Sequence, residues 1–187
     1  MKKLPKIDHL AFAFEEIDWP TETLIKMGFK KGFYEKEEIG DEKSAMKTLV
    51  LSWGDVNLAL MEPIDKKIPS QIREYVKRYG DGILQHPAIE VGDLKKTVCA
   101  LKRKGFKFLT PILHARDKKG ELLQAFTYPL VAGGKPFFEF NQRVKIGKGK
   151  SVAKSFSDKN VVGLWQCVAK AVDEGWWFKV NIFGEKQ

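Results

Sequence analysis

Apolar and polar positions alternate along residues 7–14, the period of a half-buried strand. Thr21 to Met27 changes to helical spacing and stops at Gly28, a residue type that accepts the positive φ of a helix end. Residues 30–37, 46–53 and 56–62 read as three further strands, with Gly40-Asp41 and Gly54-Asp55 as turn signals. A linking helix is expected over 68–79, opened by Pro69 in its first turn. The pattern then starts again. A strand over 83–91 precedes a helix over 93–104 that Asp93 is suited to cap. Strands follow at 106–113, 121–128 and 136–143, with Asp117 to Gly120 as a hairpin turn. Each half reads β-α-β-β-β.

The halves also match residue by residue. Ile7-Asp8-His9-Leu10-Ala11-Phe12 lies over Leu84-Gln85-His86-Pro87-Ala88-Ile89, with His third and Ala two places on. At the same offset from each His stands a Gly-Phe-Lys, at Gly28 and at Gly105. Coincidence at both points signals a repeated supersecondary unit. The expected fold is therefore α+β: two tandem βαβββ modules forming one open mixed barrel or half-barrel, with a C-terminal helix. Residues 5–66 form the first module, 67–81 the link and 82–144 the second module of a single domain, 1–187. Beyond lie a basic, Gly-rich loop from Lys145 to Lys154, a helix over 159–173 and an aromatic tail with Trp176, Trp177, Phe178 and Phe183. In that helix Val161, Leu164, Trp165, Val168 and Val172 share one face, and Ser157 or Asp158 is placed to cap it. An aromatic tail of this kind packs onto its own domain or onto a second subunit, so a homodimer is an open option.

Composition narrows the classes. At 187 residues, 43% apolar and 30% charged, the chain is an ordinary globular protein, large enough to bury a core without disulfides. The net charge of +9 is mostly lysine spread along the chain; it reads as a solvated surface, with steering of an anionic substrate as the next option. No nucleic-acid-binding motif accompanies it. The start, Met-Lys-Lys-Leu-Pro-Lys-Ile, has no apolar h-region, and no run is long enough to cross a membrane, so a cytoplasmic protein is expected. Cys99 and Cys167 sit in helix-like apolar stretches and read as buried, reduced thiols.

Three histidines occur, and His9 and His86 hold the same place in the two halves. Strand alternation lets both point into a shared cavity. Glu139, in Phe137-Phe138-Glu139-Phe140-Asn141, is a carboxylate in a bulky aromatic strand, where burial without a partner costs several kcal/mol and a cation removes the penalty. Two imidazoles and one carboxylate with open positions make the facial triad of non-haem Fe(II) oxygenases, although Zn, Mn, Co or Ni suit the same donors. Glu62 follows His9 by the same number of residues as Glu139 follows His86; this leaves a fourth ligand there open, with coincidence as the alternative because loop lengths can differ between halves. His114, near a hairpin turn, reads as a surface residue.

At these motifs the sequence resembles the vicinal-oxygen-chelate superfamily, and within it the catalytic C-terminal domain of the 4-hydroxyphenylpyruvate dioxygenases. Ile7-Asp8-His9, then Gly82 to Ala88, then Leu122-Leu123-Gln124-Ala125-Phe126-Thr127-Tyr128-Pro129 running to Pro136 through Arg143 carry the likeness. Phe156 to Trp165 resembles that family's C-terminal gate helix more weakly. The resemblance implies Fe(II) on His9, His86 and Glu139, a substrate hydrogen bond from Gln124, ring stacking by Phe126, and a place for Gln85 in the same polar network. The implied partners are a 2-oxo acid and O2. Two positions depart from the family: Met61 stands where it has Asn, and Val161 where it has a second Phe. The family enzyme also carries two such barrels, and this chain has room for one.

Three functions follow. The first is an Fe(II)-dependent dioxygenase acting on a 2-oxo acid such as 4-hydroxyphenylpyruvate. The second, motivated by Met61 and Val161, is a redox-neutral isomerase, epimerase, lyase or dehydratase using another divalent cation as Lewis acid. The third is a binding protein for a small aromatic ligand.

Overall fold

The protein is described from a computed structural model, which places residues 4–41, 44–64, 70–116, 120–131, 136–145, 158–175 and 179–184. Outside these lie Pro69, the turn residues Asp117 to Lys119, the basic loop beyond Lys145, Ser157 and the tail residues Trp176, Trp177 and Phe178. The chain divides into two compact units, Asp8–Gln85 and Met1–Ile7 together with His86–Gln187.

The first unit holds β1 (Lys6–Ala13), α1 (Asp18–Lys26), β2 (Lys30–Asp41), β3 (Ser44–Trp53), β4 (Val56–Pro63) and α2 (Gln71–Tyr79). Its strands lie in the order β2-β3-β4-β1, with β1 parallel to β4 and the other pairs antiparallel. Helix α1 begins at Asp18, three residues before the expected start. Pro20 falls in its first turn, where the missing N–H leaves no intrahelical bond unmade. Phe12, Phe14, Leu58 and Leu60 pack with Ile17, Phe29, Leu49 and Leu51 on one face of the sheet. Alternation puts His9, Ala11 and Ala13 of β1 on the opposite face, together with Ala59 and Met61 of β4.

The second unit holds β5 (Ile83–Glu90), α3 (Leu94–Arg103), β6 (Leu113–Arg116), β7 (Gly120–Phe126), β8 (Glu139–Lys145) and α4 (Asp158–Asp173). Its order is β5-β8-β7-β6, with β5 parallel to β8 and the rest antiparallel. The expected strand over 106–113 is not formed. Pro111 has no N–H to give a ladder, so pairing before Leu113 is confined to an isolated bridge from Phe108 to Thr127. Helix α3 covers one sheet face, where Leu94 and Val98 pack with Ile89, Leu123, Ala125 and Phe140. Its N-terminus is fixed twice over. Asp93 accepts from the Lys96 N–H at 3.0 Å, and Gln142 accepts from the Leu94 N–H at 2.8 Å. Helix α4 packs on β6, and Asn160 donates to the Leu122 carbonyl at 3.1 Å.

The repeated Gly-Phe-Lys has a physical reason. Gly28 and Gly105 both take positive φ, 111° and 91°, just past a helix. The next residues, Phe29 and Phe106, donate backward to Leu24 and Leu101, the same closing bond in both halves. Both cysteines are free, as expected, but Cys99 is exposed: it follows Val98 by one residue and so lies about 100° away from the face that α3 buries. Among the described residues no helix is long and apolar enough to cross a membrane.

Candidate metal centre

In the second unit the sheet face turned away from α3 is polar and buried. Strand alternation assigns His86, Ala88 and Glu90 of β5, Gln124 and Phe126 of β7, and Glu139 and Asn141 of β8 to it. A sheet face covered by protein is ordinarily apolar, so five polar side chains on this one call for a chemical reason.

Glu139 is 1% exposed and its two oxygens have different surroundings. Oε1 accepts from Gln124 Nε2 at 2.9 Å and from Asn141 Nδ2 at 3.0 Å. Oε2 faces His86 Nε2 at 3.6 Å. That gap exceeds the roughly 2.7–3.2 Å of a nitrogen–oxygen hydrogen bond. Two ligand atoms each about 2.1 Å from one ion, at angles of 90–120°, stand about 3.0–3.6 Å apart. The pair therefore has the separation of co-ligands. Apolar walls surround it: Phe137 lies 4.7 Å from the His86 ring and Phe126 meets it edge-on at 5.9 Å. Both phenylalanines belong to the cluster that Val168 and Ala171 of α4 close, with Leu164 packed against it.

In the first unit His9 is 2% exposed, and its Nδ1 lies 3.0 Å from Asp8 Oδ2. A carboxylate on Nδ1 favours the tautomer with Nδ1 protonated, which makes Nε2 the acceptor nitrogen of the ring. Asn57 Nδ2 donates to the Asp8 carbonyl at 2.8 Å and ties this strand end to β4.

Of the residues nominated by sequence, His86, Glu139, Gln124 and Phe126 are brought together in one unit, while His9 and the buried Gln85 belong to the other. Glu62, left open by the sequence as a fourth ligand, has other partners. It falls on the Leu58–Leu60 face of β4, opposite to that of His9, and its carboxylate accepts from the Ile17 N–H at 2.7 Å and pairs with Lys47 at 3.1 Å. The shared offset from the histidines is no guide here, because strand parity, not distance along the chain, decides the face. His114 is exposed and pairs with Glu121 at 3.2 Å, as expected of a surface residue. Two residues were missed. Asn141 carried a signal, since it lies two places beyond Glu139 in a strand; Asp8 carried little, because neighbours in a strand ordinarily point apart.

A family profile described as the glyoxalase/bleomycin resistance protein/dioxygenase superfamily matches residues 8–122. Among curated proteins, the chain is 29% identical over 138 residues to the 4-hydroxyphenylpyruvate dioxygenase of Tetrahymena thermophila, covering 56% of this chain and 34% of that protein. The enzyme of the same name from Xenopus tropicalis is 29% identical over 139 residues, 57% of this chain and 35% of that one. The chain thus spans about a third of the length of these relatives. A triply substituted 4-hydroxymandelate synthase from Streptomyces coelicolor superposes with a TM-score of 0.77 at 26% identity, covering 90% of this chain and 55% of that chain. A methylmalonyl-CoA epimerase variant from Streptomyces coelicolor superposes at 0.57 with 21% identity, covering 78% of this chain and 100% of that one, which is a likeness of fold. Among the described residues, the mixed sheets and four helices, the last of them C-terminal, match the glyoxalase-like fold of these neighbours.

Proposed function

This chain belongs to the glyoxalase/bleomycin resistance protein/dioxygenase superfamily, and from that premise we propose that it is a non-haem Fe(II)-dependent dioxygenase acting on a 2-oxo acid such as 4-hydroxyphenylpyruvate. His9, His86 and Glu139 hold the cation. Each is buried and each offers one ligand atom. The observation that carries the reading is the His86–Glu139 pair, spaced as co-ligands and walled by phenylalanine. The donor set of two imidazoles and a carboxylate fits Fe(II) and leaves positions open. The likeness to 4-hydroxyphenylpyruvate dioxygenases and to a 4-hydroxymandelate synthase supports the choice of chemistry.

When bound, Fe(II) would supply open positions for the 2-oxo acid and for O2, the chemistry of an oxidative decarboxylation in which CO2 is lost and the two oxygen atoms end in the new carboxylate and the aromatic ring of the same molecule. The chain's own residues do the rest. Asp8 holds the His9 ring in the ligating tautomer. Gln124 spends its amide N–H on Glu139 and keeps Oε1, which has no donor among the described residues, to accept from a substrate hydroxyl. Phe126 and Phe137 exclude water and offer aromatic surface to an aromatic acid. Gln85, buried next to His86 in β5, falls by strand alternation on the other side of that strand, and no role is carried over to it. The two free cysteines fit a reducing, cytoplasmic setting.

The test is O2 uptake and CO2 release by protein loaded anaerobically with Fe(II) and given 4-hydroxyphenylpyruvate. One O2 taken up and one CO2 released per substrate consumed supports the reading; the absence of both overturns it. A redox-neutral isomerase, lyase or dehydratase is the second reading, motivated by Met61, buried on the same face of its sheet as His9, and by Val161 on α4. Turnover under argon with Mn or Co selects it.

A further inference from the structure

We propose that Asn141 is a positioning residue for the metal carboxylate. Together with Gln124 it holds Oε1 of Glu139, so that Glu139 presents one oxygen, Oε2, to the cation. This rests on the metal reading above and adds a residue to it.

The register builds the arrangement. Asn141 lies directly across from Gln124 in the β7–β8 ladder, and Glu139 lies across from Phe126 one face-position away. Glu139 and Asn141, two residues apart in a strand, project from the same side. Asn141 is 0% exposed. Its Nδ2 and the Nε2 of Gln124 donate to the same carboxylate oxygen, at 3.0 Å and 2.9 Å. The other oxygen is the one that faces His86.

The orientation of both amides follows from electrostatics. Turned over, either would set a carbonyl oxygen against a carboxylate oxygen, two acceptors in a dry site. In the orientation adopted, Asn141 Oδ1 and Gln124 Oε1 are buried with no hydrogen-bond partner among the described residues. Packing alone does not call for an amide at position 141. An apolar side chain of the same volume fills the space without stranding an acceptor. What an apolar residue cannot do is donate to Glu139.

The chemical effect is on denticity. Two N–H donors saturate Oε1 and leave it a poor second ligand, which keeps Glu139 monodentate and one more coordination position open for substrate. With one donor gone, the carboxylate is free to turn and bind through both oxygens.

The experiment titrates Co(II) anaerobically into wild type, Asn141→Leu and Asn141→Ser, reading affinity and visible d–d absorption together with the melting temperature of the metal-free protein. Leucine keeps the volume and removes the donor; serine is smaller and guards against a folding failure of the leucine variant. The expected result is one Co(II) per wild-type chain, an affinity about tenfold weaker in the variants, and a fall in Co(II) absorptivity as a second oxygen raises the coordination number. A folded variant with unchanged affinity and spectrum overturns the role of Asn141 and leaves the metal reading standing. A lowered melting temperature with wild-type Co(II) behaviour does the same. Failure of wild type to bind Co(II) overturns both.

Discussion

His86 Nε2 and Glu139 Oε2 stand 3.6 Å apart in a site walled by Phe126 and Phe137. An imidazole and a carboxylate so placed share no direct proton, yet the carboxylate is almost wholly removed from water. A divalent cation satisfies both. At a hundred times its dissociation constant, such an ion stabilises the fold by about 2.7 kcal/mol. Calorimetry with and without Co(II) therefore has a clear expectation: a rise in melting temperature that a chelator reverses. Glu139→Gln loses that rise. Its metal-free form melts level with or above wild type, because a buried charge has been removed. A Glu139→Gln protein that keeps the full Co(II)-dependent rise takes Glu139 out of the ligand set.

A second expectation concerns Asp8, 3.0 Å from His9 Nδ1. Removing the carboxylate in Asp8→Ala releases the tautomer and the tilt of the ring. Metal affinity drops on the order of 10–100-fold, the range for loss of a carboxylate behind a ligating histidine. Competition with a chromophoric chelator measures it. Affinity equal to wild type shows that Asp8 serves the strand end alone.

Much of this was legible in the sequence, for reasons that particular residues make plain. The alternation that predicts β1 and β4 also fixes which of their residues face inward, and the repeated Gly-Phe-Lys is legible because helix endings have a residue chemistry of their own. His86 could be named from its matching place in the repeat and Glu139 as a carboxylate among large apolar residues, whereas Gln124 and Phe126 were nameable only through the resemblance to a known family. Two readings failed where local pattern yields to three-dimensional geometry, and one open option gained no support. The stretch before Leu113 has strand-like residues, but with Pro111 lacking an N–H its pairing stops at the Phe108–Thr127 bridge. Cys99 sits in an apolar run yet on the outer side of α3. Glu62 has the right offset and the wrong parity, so it is spent on Lys47 and on the Ile17 N–H. Asn141 was missed although its place two residues beyond Glu139 put it on the same face; what it does there shows only with its cross-strand neighbour Gln124.

The helix cap at Asp93 gives a pH-dependent expectation. The Lys96 backbone N–H, aided by the Lys96 side chain, holds the Asp93 carboxyl below its usual value. A folded-state value below the unfolded one means stabilisation that is present above the unfolded pKa and lost as pH falls through the folded value. Asp93→Ala therefore melts lower than wild type at pH 7, and the two curves converge as the solution is made acid enough to protonate Asp93 in the fold. A gap that stays constant down to that pH assigns the effect to packing in place of the charged cap. Thermal melts of both proteins at a series of pH values decide it.

The two thiols are expected to react at different rates. Cys99 is exposed on α3, whereas Cys167 lies half-buried on α4 and burial raises its pKa, an effect that nearby Lys170 offsets in part. Thiolate is the reactive form, so at a given pH Cys167 offers a smaller reactive fraction as well as a hindered approach. Alkylation of the native protein near pH 8 then shows a fast phase of one equivalent and a slow second phase, and unfolding merges them. Cys99→Ser removes the fast phase; Cys167→Ser leaves it untouched. The slow phase accelerates as pH rises further toward the raised value. Equal rates for both thiols in the folded protein place Cys167 in water and dissolve the packing of α4 over β6 and β7 that keeps Phe126 and Phe137 dry.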